Sequence, residues 1–205
     1  MGGFMMAGKG LVTCGLMALL GAGCVRGQPA PVAHDVGRAM REPAVPTMHD
    51  VTEGAGLAGV GGAYVNWLDV QNDGRPDLLV DGCRLYLNEG PPLYKFTAAP
   101  RGMWPGTKRG PALCVDLDND GWTDIVSTQG KVWRNLEGKG FKDVAKDWAF
   151  TPHPKANVLA AGDLDGDGWA DIYVGMKEDW NNGNPTYYQH ELWHNEGGKG
   201  FREVS

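Results

Sequence analysis

Short apolar runs, separated by turns rich in glycine and aspartate, fill the chain from residue 63 to residue 205. Examples are AYVNWL at 63–68, DLLV at 77–80 and LYLN at 85–88. The runs are rich in β-branched and aromatic residues and partly alternate between apolar and polar positions, as half-buried strands do. Outside the first 23 residues, no window has the apolar spacing of an amphipathic helix. The pattern therefore predicts an all-β fold of short strands.

The order of these runs repeats three times. One run precedes an acidic loop, a second follows it, and an aromatic residue then stands two places before Asn88, Asn135 and Asn195. After a glycine-containing turn comes a last run: YKFTA near Phe96, FKDVA at 141–145 and FREVS at 201–205. MHDVT at 48–52 has the same form and predicts a further strand. Units of about 40–50 residues with four strands are typical of β-propeller blades, so we predict a partial β-propeller of about three four-stranded blades in residues 48–205.

The acidic loops are the clearest marker of the repeat. DVQNDGRPD begins at Asp69, DLDNDGWTD at Asp116 and DLDGDGWAD at Asp163, and each loop starts 47 residues after the previous one. Oxygen-bearing side chains at positions 1, 3, 5 and 9 suit a hard cation such as Ca²⁺, and glycine at position 6 permits the sharp bend. Position 12 is not Glu and the flanks are not helical, so these loops are not EF-hands. Magnesium would demand stricter octahedral geometry, and we therefore expect up to three Ca²⁺ ions.

Each loop offers five ligands, with position 7 contributing its backbone carbonyl. The predicted metal ligands are Asp69, Gln71, Asp73, Arg75 and Asp77 in the first loop, Asp116, Asp118, Asp120, Trp122 and Asp124 in the second, and Asp163, Asp165, Asp167, Trp169 and Asp171 in the third. Gln71 replaces a carboxylate by a neutral amide, so the first loop is expected to bind calcium more weakly. The loops contain eleven of the 25 acidic residues, and three Ca²⁺ ions would offset the net charge of −6.

These units resemble the VCBS, or FG-GAP, repeats of integrin-α-like β-propellers and are similar to the repeats of cartilage acidic protein. The resemblance rests on the DxDxDGxxD loops and on the segments around them, and it covers residues 48–205. It implies calcium-binding loops in a propeller that usually has seven blades. Three blades cannot close a ring without leaving uncovered faces. We expect the chain to be a fragment of a longer protein, or else several chains to assemble, so that further blades are supplied.

The first residues predict export. MGGFMMAGKG is followed by an uncharged apolar stretch at 11–23, too short to span a bilayer, and residues 1–23 therefore form an export signal peptide. LLGAGC, ending at Cys24, is similar to a bacterial lipobox, although Gly21 stands where a leucine is usual. Residues 24–47 contain four prolines and are predicted to be a tether. We expect a cell-envelope protein anchored by a lipid on Cys24, with simple secretion as the alternative.

Composition excludes several classes of function. The net charge of −6 and the lack of a basic stripe argue against nucleic-acid binding. No cysteine or histidine spacing suits zinc. Cys83 and Cys114 are small hydrophobic residues or, in an oxidising compartment, a disulfide. Ser127 and Ser205 are the only serines and His153 has no triad partner in view, so we predict no enzyme activity in this chain.

Residues outside the repeat are the better candidates for specific binding. From the first aspartate of the loop to the Asn the distance is 19 residues in the first two units and 32 in the third. The extra residues lie in KEDWNNGNPTYYQHE at 177–191, whose aromatic and amide side chains suit a sugar or a peptide. The candidate ligand surface there consists of Trp180, Tyr187, Tyr188 and His190, although the sequence alone favours a loop of no specific function over a binding loop. PRGMWPGTKRG at 100–110, with Trp104, Lys108 and Arg109, is a second candidate loop.

Repetition assigns the remaining aromatic and amide residues to structure. Tyr86, Trp133 and Trp193 are equivalent and are expected to pack between blades; Trp122 and Trp169 are expected to cover a loop or a neighbouring blade. The three asparagines precede turns and are expected to stabilise them.

The sequence is compatible with three functions. The favoured one is a non-catalytic, calcium-binding β-propeller repeat module on the cell envelope, serving adhesion or ligand or protein binding. The others are the N-terminal part of a larger propeller enzyme, such as a polysaccharide lyase with its catalytic residues beyond residue 205, and a purely structural scaffold.

Overall fold

The structure is a computed structural model that describes residues 48–92, 94–106, 108–181 and 183–205. Residues Met48–Ser205 form one compact unit. The predicted export signal, the lipidation site at Cys24 and the tether at 24–47 lie outside the described residues. Within the part that is described, no residue is helical, and no helix is long and apolar enough to cross a membrane.

Three four-stranded antiparallel sheets make up the described chain, together with one small hairpin. The first sheet contains β1 (Val65–Leu68), β2 (Asp77–Val80), β3 (Arg84–Asn88) and β4 (Phe96–Ala98). The second contains β5 (Ala112–Val115), β6 (Asp124–Ser127), β7 (Lys131–Asn135) and β8 (Phe141–Asp143). The third contains β9 (Ala156–Gly162), β10 (Asp171–Met176), β13 (Glu191–Asn195) and β14 (Phe201–Glu203), and the hairpin contains β11 (Asp179–Asn181) and β12 (Asn184–Thr186). The predicted all-β fold of three four-stranded blades is confirmed.

Alternation along the strands gives each sheet two apolar faces. Leu78 and Leu79 are consecutive in β2, point to opposite faces and belong to different apolar clusters. Leu79 packs in one cluster with Ile125 of the second sheet. One repeat later, Val126 packs in one cluster with Ile172 of the third sheet. The sheets therefore stack face to face, and both seams use equivalent positions.

The prediction that the repeated aromatic residues pack between sheets is confirmed for Trp133 and Trp193. It is wrong for Tyr86, which packs on the outer face of the first sheet in the cluster of Ala55 and Leu78. Tyr86, Trp133 and Trp193 each pack in one of the three clusters. Trp104, from the second candidate loop, lies edge-on to Trp133 with ring centroids 5.7 Å apart. Arg109, from the same loop, pairs with the buried Asp81 at 2.7 Å. Trp104 and Arg109 therefore have structural contacts.

Residues 48–60 cover the outer face of the first sheet. Ala55 lies in the same apolar cluster as Leu78, and the Phe96 N–H donates to the Ala55 carbonyl at 2.9 Å. The prediction of a strand at 48–52 is wrong, because these residues form no strand. A strand needs a neighbour to receive its hydrogen bonds, and no described strand precedes this segment.

The sequence similarity of this segment to later units lies in a turn. The Ala55 N–H donates to the Val51 carbonyl at 2.8 Å, and the equivalent bond from Trp148 to Val144 is also 2.8 Å. The Phe201 N–H then donates to the Trp148 carbonyl, as the Phe96 N–H does to Ala55. In both places, the turn thus forms a backbone hydrogen bond with the last strand of the sheet that follows it.

The outer face of the third sheet is open. Leu164 is 62% exposed and Tyr173 is 43% exposed. Their equivalents in the second sheet, Leu117 and Val126, are fully buried under the third sheet. An apolar face that is covered in one repeat is therefore uncovered in the next.

We predict that truncating equivalent leucines will have unequal effects on the stability of this chain. Leu117→Ala leaves a cavity in a closed seam and is expected to lower the free energy of unfolding by about 2–5 kcal/mol. Leu164→Ala removes a solvated side chain and should cost less than about 1 kcal/mol. Urea denaturation measures both. Equal losses would show that the Leu164 face is covered in solution.

Candidate functional site

The three acidic loops join the first two strands of each sheet and follow the same backbone course. Their fourth and sixth residues all have φ values between 51° and 89°. These residues are Asn72, Gly74, Asn119, Gly121, Gly166 and Gly168. Glycine was predicted at the sixth position; the fourth accepts asparagine because its short polar side chain tolerates the left-handed region. The repeat in sequence is therefore also a repeat in backbone conformation.

Loop carboxylates close each loop on itself. Asp163 accepts hydrogen bonds from the backbone N–H groups of Gly166 (2.8 Å) and Gly168 (3.0 Å), and Asp167 accepts one from Trp169 (2.9 Å). Equivalent bonds run from Gly74 to Asp69 (2.7 Å) and from Gly121 to Asp116 (2.8 Å). A carboxylate has about four acceptor sites, so these bonds leave capacity for a cation.

The second loop gathers the best donor set for a metal ion. Ligand atoms of Asp116, Asp118 and Asp124 all lie within 4.8 Å of one another. Oδ1 of Asp116 and Oδ1 of Asp118 are buried without a hydrogen-bond partner, and the Asp118 side chain is only 9% exposed. Two buried acceptors without donors are costly unless a cation satisfies them. This all-oxygen set fits a hard cation.

The third loop brings a histidine into the donor set. Ligand atoms of Asp165, Asp167 and His194 lie within 4.8 Å of one another. His194 Nδ1 is 3.4 Å from an Asp165 oxygen and 3.2 Å from an Asp171 oxygen. His194 was not among the predicted ligands.

The first loop is the weakest candidate. Among the described residues, it does not assemble three histidine, cysteine or acidic side chains as the other two loops do. Arg75 pairs with Asp73 and also donates from Nε to the Asn88 carbonyl at 3.0 Å. Because an arginine also pairs with carboxylates of the second loop, the difference between these two loops lies in the missing acidic cluster of the first. This agrees with the expectation of weaker binding drawn from Gln71.

The residue before each asparagine is the functional position that sequence reasoning missed. Arg134 pairs with both Asp118 and Asp120, the latter at 3.0 Å. The residue at this position is Leu87 in the first sheet, Arg134 in the second and His194 in the third. Its side chain lies on the opposite face of the strand from the asparagine. The available signal was a position that changes from leucine to arginine to histidine between an aromatic residue and an asparagine in all three units. These side chains place a cationic or ionisable partner at the second and third loops.

The aspartate at loop position 9 acts as a clasp inside each sheet. Asp124 is fully buried and accepts N–H groups from Leu117 (3.1 Å) and Asn135 (2.8 Å). Asp77 and Asp171 make the equivalent pairs of bonds. Burial raises the pKa of the Asp124 carboxyl to about 7, although the two N–H donors act in the opposite direction. Burial is likewise the main cause that raises the pKa of Asp77 and Asp118.

The asparagine after the clasp links neighbouring sheets. Asn135 Nδ2 donates to the Val70 carbonyl of the first sheet at 3.0 Å, and Asn195 Nδ2 donates to the Leu117 carbonyl of the second at 2.9 Å. Asn195 Oδ1 also accepts the Gly198 N–H at 2.8 Å, which confirms the predicted role in the turn. The bond across the seam was not predicted.

Glycine turns press each sheet onto the acidic loop before it. A Cβ on Gly138 would lie 3.2 Å from the Gln71 Cα, and one on Gly198 would lie 2.8 Å from the Asp118 Cα. Trp169 lies against Gly198 in the same place, so it covers the seam as predicted. The second loop is therefore both a candidate metal site and part of the seam between the second and third sheets.

Part of the chain is similar to a known repeat. Residues 116–174 match the family model of the FG-GAP-like repeat. The match to the FG-GAP-like repeat begins at the first aspartate of the second loop and ends in β10, so it contains the second and third loops. No curated protein matches the chain.

The predicted ligand surface lies at the other end of the sheets from the acidic loops. In an antiparallel sheet, the acidic loops and the β3–β4 type turns share one end, and the β2–β3 type turns share the other. The insertion at 177–190 connects β10 to β13 and so belongs to the second end. Trp180, Tyr187, Tyr188 and His190 all line one groove of about 470 Å³ there.

The two cysteines in the described residues are not bridged. Both Cys83 and Cys114 are free thiols. Burial raises the pKa of the Cys114 thiol to about 12, so it behaves as a small apolar side chain rather than as a nucleophile.

Two adjacent glycines offer a matched test of the seam. Gly197 and Gly198 have φ of 69° and 70°, but a Cβ on Gly197 meets open space. Both alanine variants carry the same backbone strain, of about 1 kcal/mol. Gly198→Ala should destabilise the chain by about 1–3 kcal/mol more than Gly197→Ala, because it pushes on Trp169 and Asp118. Thermal melts compare them, and equal losses would contradict the close contact at the seam.

A second prediction concerns the effect of pH on the metal-free protein. A carboxyl with its pKa near 7 when folded and about 3.9 when unfolded binds its proton more tightly in the folded state. Stability in EDTA should therefore fall as pH rises from about 5 to about 8. Added Ca²⁺ should reduce this fall, because it pairs with the ionised form. Melting temperatures in both buffers measure the effect, and a rise with pH in EDTA would contradict it.

Proposed function

We propose that this chain is a non-catalytic, calcium-binding β-propeller repeat module that binds a ligand or a protein at the cell envelope. The observation that carries the calcium part is the pair of buried oxygens on Asp116 and Asp118 that have no donor. A Ca²⁺ ion at the second loop would satisfy both. The donors there are carboxylate oxygens, which calcium prefers and softer metals do not.

The metal is proposed as a brace and not as a catalyst. A catalytic metal keeps an open position and has a base beside it, whereas these loops recur in all three sheets. Gly198 packs on Asp118, so a cation at the second loop would also stiffen the seam with the third sheet. Up to three Ca²⁺ ions are proposed, with the first loop the weakest.

Location and family subtype belong to the same proposal. The basic start, the apolar stretch at 11–23 and the LLGAGC segment support export and lipid attachment at Cys24, with secretion as the alternative. A lipid at Cys24 would be the sole membrane attachment. The aspartate-rich loops with their LYLN-type segments support the VCBS subtype of repeat.

We further propose that another sheet of the same type covers the open face of the third sheet. Each described seam joins the Val126-type face of one sheet to the Ile172-type face of the next. Residues 48–60 already occupy the corresponding outer face of the first sheet, which disfavours head-to-tail stacking of a second copy. A sheet in a longer form of the polypeptide is therefore favoured. A large cost of Leu164→Ala in the native assembly would support coverage.

Calcium titration with matched variants tests the metal sites. Asp69→Asn, Asp116→Asn and Asp163→Asn make the same change at position 1 of each loop. Isothermal titration calorimetry should show the two strongest sites weakened by at least roughly tenfold in Asp116→Asn and Asp163→Asn, about 1.4 kcal/mol each. Asp69→Asn should affect only the weakest site, because Gln71 already leaves that loop one carboxylate short of the other two.

Gln71→Asp supplies the reciprocal control. It restores the missing carboxylate and should strengthen binding at the first loop. The proposal fails if the wild-type chain binds no Ca²⁺, and the ranking fails if the Asp69 site is the tightest.

A further inference from the structure

The third sheet carries an insertion that the other two sheets lack. Residues 177–190 join β10 to β13, whereas the short turns at 81–83 and 128–130 make the same connection in the first and second sheets. A β-bulge between Gly175 and Met176 interrupts the pairing of β10 with β9 just before the insertion. Bulges of this kind redirect a strand and its side chains. The insertion thus begins where the regular pairing of β10 ends, and its own two strands form a separate hairpin.

Polar contacts fix one wall of the groove. Asp179 accepts a hydrogen bond from the Tyr188 hydroxyl (2.7 Å) and pairs with the Lys155 ammonium (2.6 Å). Lys155 Nζ also lies 5.9 Å from the centre of the Tyr188 ring, and the His153 ring lies 5.1 Å from it on centroids. Lys155 and His153 lie just before β9, outside the insertion. Tyr188 is therefore held in place by the body of the sheet.

Two large aromatic side chains of the groove face solvent. Trp180 is 63% exposed and Tyr187 is 74% exposed. Trp180 is oriented by a hydrogen bond from its Nε1 to Glu178 Oε1 at 2.9 Å and by the β11–β12 pairing, which sets it opposite Pro185. An exposed ring that is fixed as Trp180 is presents a flat apolar surface at little further cost in side-chain entropy, and Tyr187 adds a second exposed ring beside the same groove.

The rest of the lining is polar. Asn157, Lys177 and Glu178 contribute an amide, an ammonium and a carboxylate, and Met176 is the single aliphatic side chain that lines the groove among the described residues. The volume of about 470 Å³ lies within the range of about 300–1,000 Å³ usual for small-ligand sites. An apolar peptide would find no aliphatic pocket here. A phosphate-rich ligand would meet Glu178 and a chain of net charge −6.

We propose that this groove binds a carbohydrate chain through pyranose rings whose hydroxyl groups are equatorial. Such a ring has two faces of C–H groups, which stack on Trp180 and Tyr187, and a rim of hydroxyls, which exchange hydrogen bonds with Asn157 and Glu178. The inference rests on the proposed function as a binding module and adds the class of ligand and its site. The groove lies at the end of the sheets opposite the acidic loops, so calcium is not a ligand in it.

The test is calorimetric titration of the full chain with defined oligosaccharides. Cellohexaose and chitohexaose are the equatorial probes, and mannohexaose and oligogalacturonate, which carry axial hydroxyls, are the comparators, the last also being acidic. At least one equatorial probe should bind, and Trp180→Ala and Tyr187→Ala should each weaken that binding by at least roughly tenfold. Trp67→Ala removes an indole of nearly equal exposure (61%) from the first sheet and should leave sugar binding unchanged.

The outcomes separate this inference from the proposed function. Failure of every sugar to bind, or binding that the Trp180 and Tyr187 variants leave intact, would overturn the carbohydrate site. The equatorial-pyranose ligand class would be overturned if the axial probes bound more tightly than the equatorial ones. It would also be overturned if no sugar bound and a protein stripped of its glycans bound in a way that depends on Trp180. Calcium titration of the same samples reports on the proposed function independently, because none of these substitutions lies in an acidic loop.

Discussion

The structure depends on a buried carboxylate that is bound to backbone N–H groups on two sides. In the second sheet this carboxylate is Asp124, which joins the start of the acidic loop at Leu117 to the end of the third strand at Asn135. The Asn135 amide then reaches the Val70 carbonyl of the preceding sheet. A charge buried to this depth is unfavourable unless donors, a proton or a cation accompany it. The turn, the strand pairing and the seam are therefore coupled through one side chain.

This coupling explains why the fold grows by whole sheets. Each sheet has two apolar faces, one acidic loop and one glycine turn. The next sheet covers one of these faces, and its glycine turn contacts the acidic loop. Gly138 meets the first loop and Gly198 the second, by the same contact. Stability in such an array is approximately a sum of sheet terms and nearest-neighbour seam terms. The open face around Leu164 follows directly, because the described sheets provide no further neighbour for it.

The features that could be predicted are those set by local sequence. Strands follow from apolar alternation, the loops from the spacing of aspartates and glycine, and the placement of Trp133 and Trp193 from their equivalence. The partners of Arg134 and His194 could not be derived in this way, because they depend on which side chains a strand faces in three dimensions. The prediction of a strand at 48–52 was wrong for a related reason. The sequence of this segment resembles the last strand of a unit, but a strand forms only where a neighbouring strand can pair with it. The aspartate at loop position 9 shows the same limit. The sequence predicted it as a metal ligand, and its hydrogen bonds to two backbone N–H groups became visible only in the structure.

The two ends of the sheets differ in chemistry: the acidic loops lie at one end, and the insertion with its groove lies at the other. The loops, clasps and cross-seam asparagines are all at one end, where any change alters the contact between sheets. At the other end, the first β2–β3 type turn carries a buried carboxylate of its own, Asp81, which accepts the N–H groups of Ala63 and Tyr64. The third sheet instead accommodates residues 177–190 there, with the pairing of β10 with β13 and the bond from Asn195 to the second sheet both intact. Binding chemistry can therefore vary at that end while the frame stays constant. The strands of the third sheet run between these ends. β10 contains Asp171 at its start, and β13 begins directly after the insertion and carries His194, a donor at the third loop. Coupling between a cation at the third loop and a ligand in the groove would have to pass along these strands, and their regular register from Ile172 to Val174 offers no second arrangement through which to transmit it.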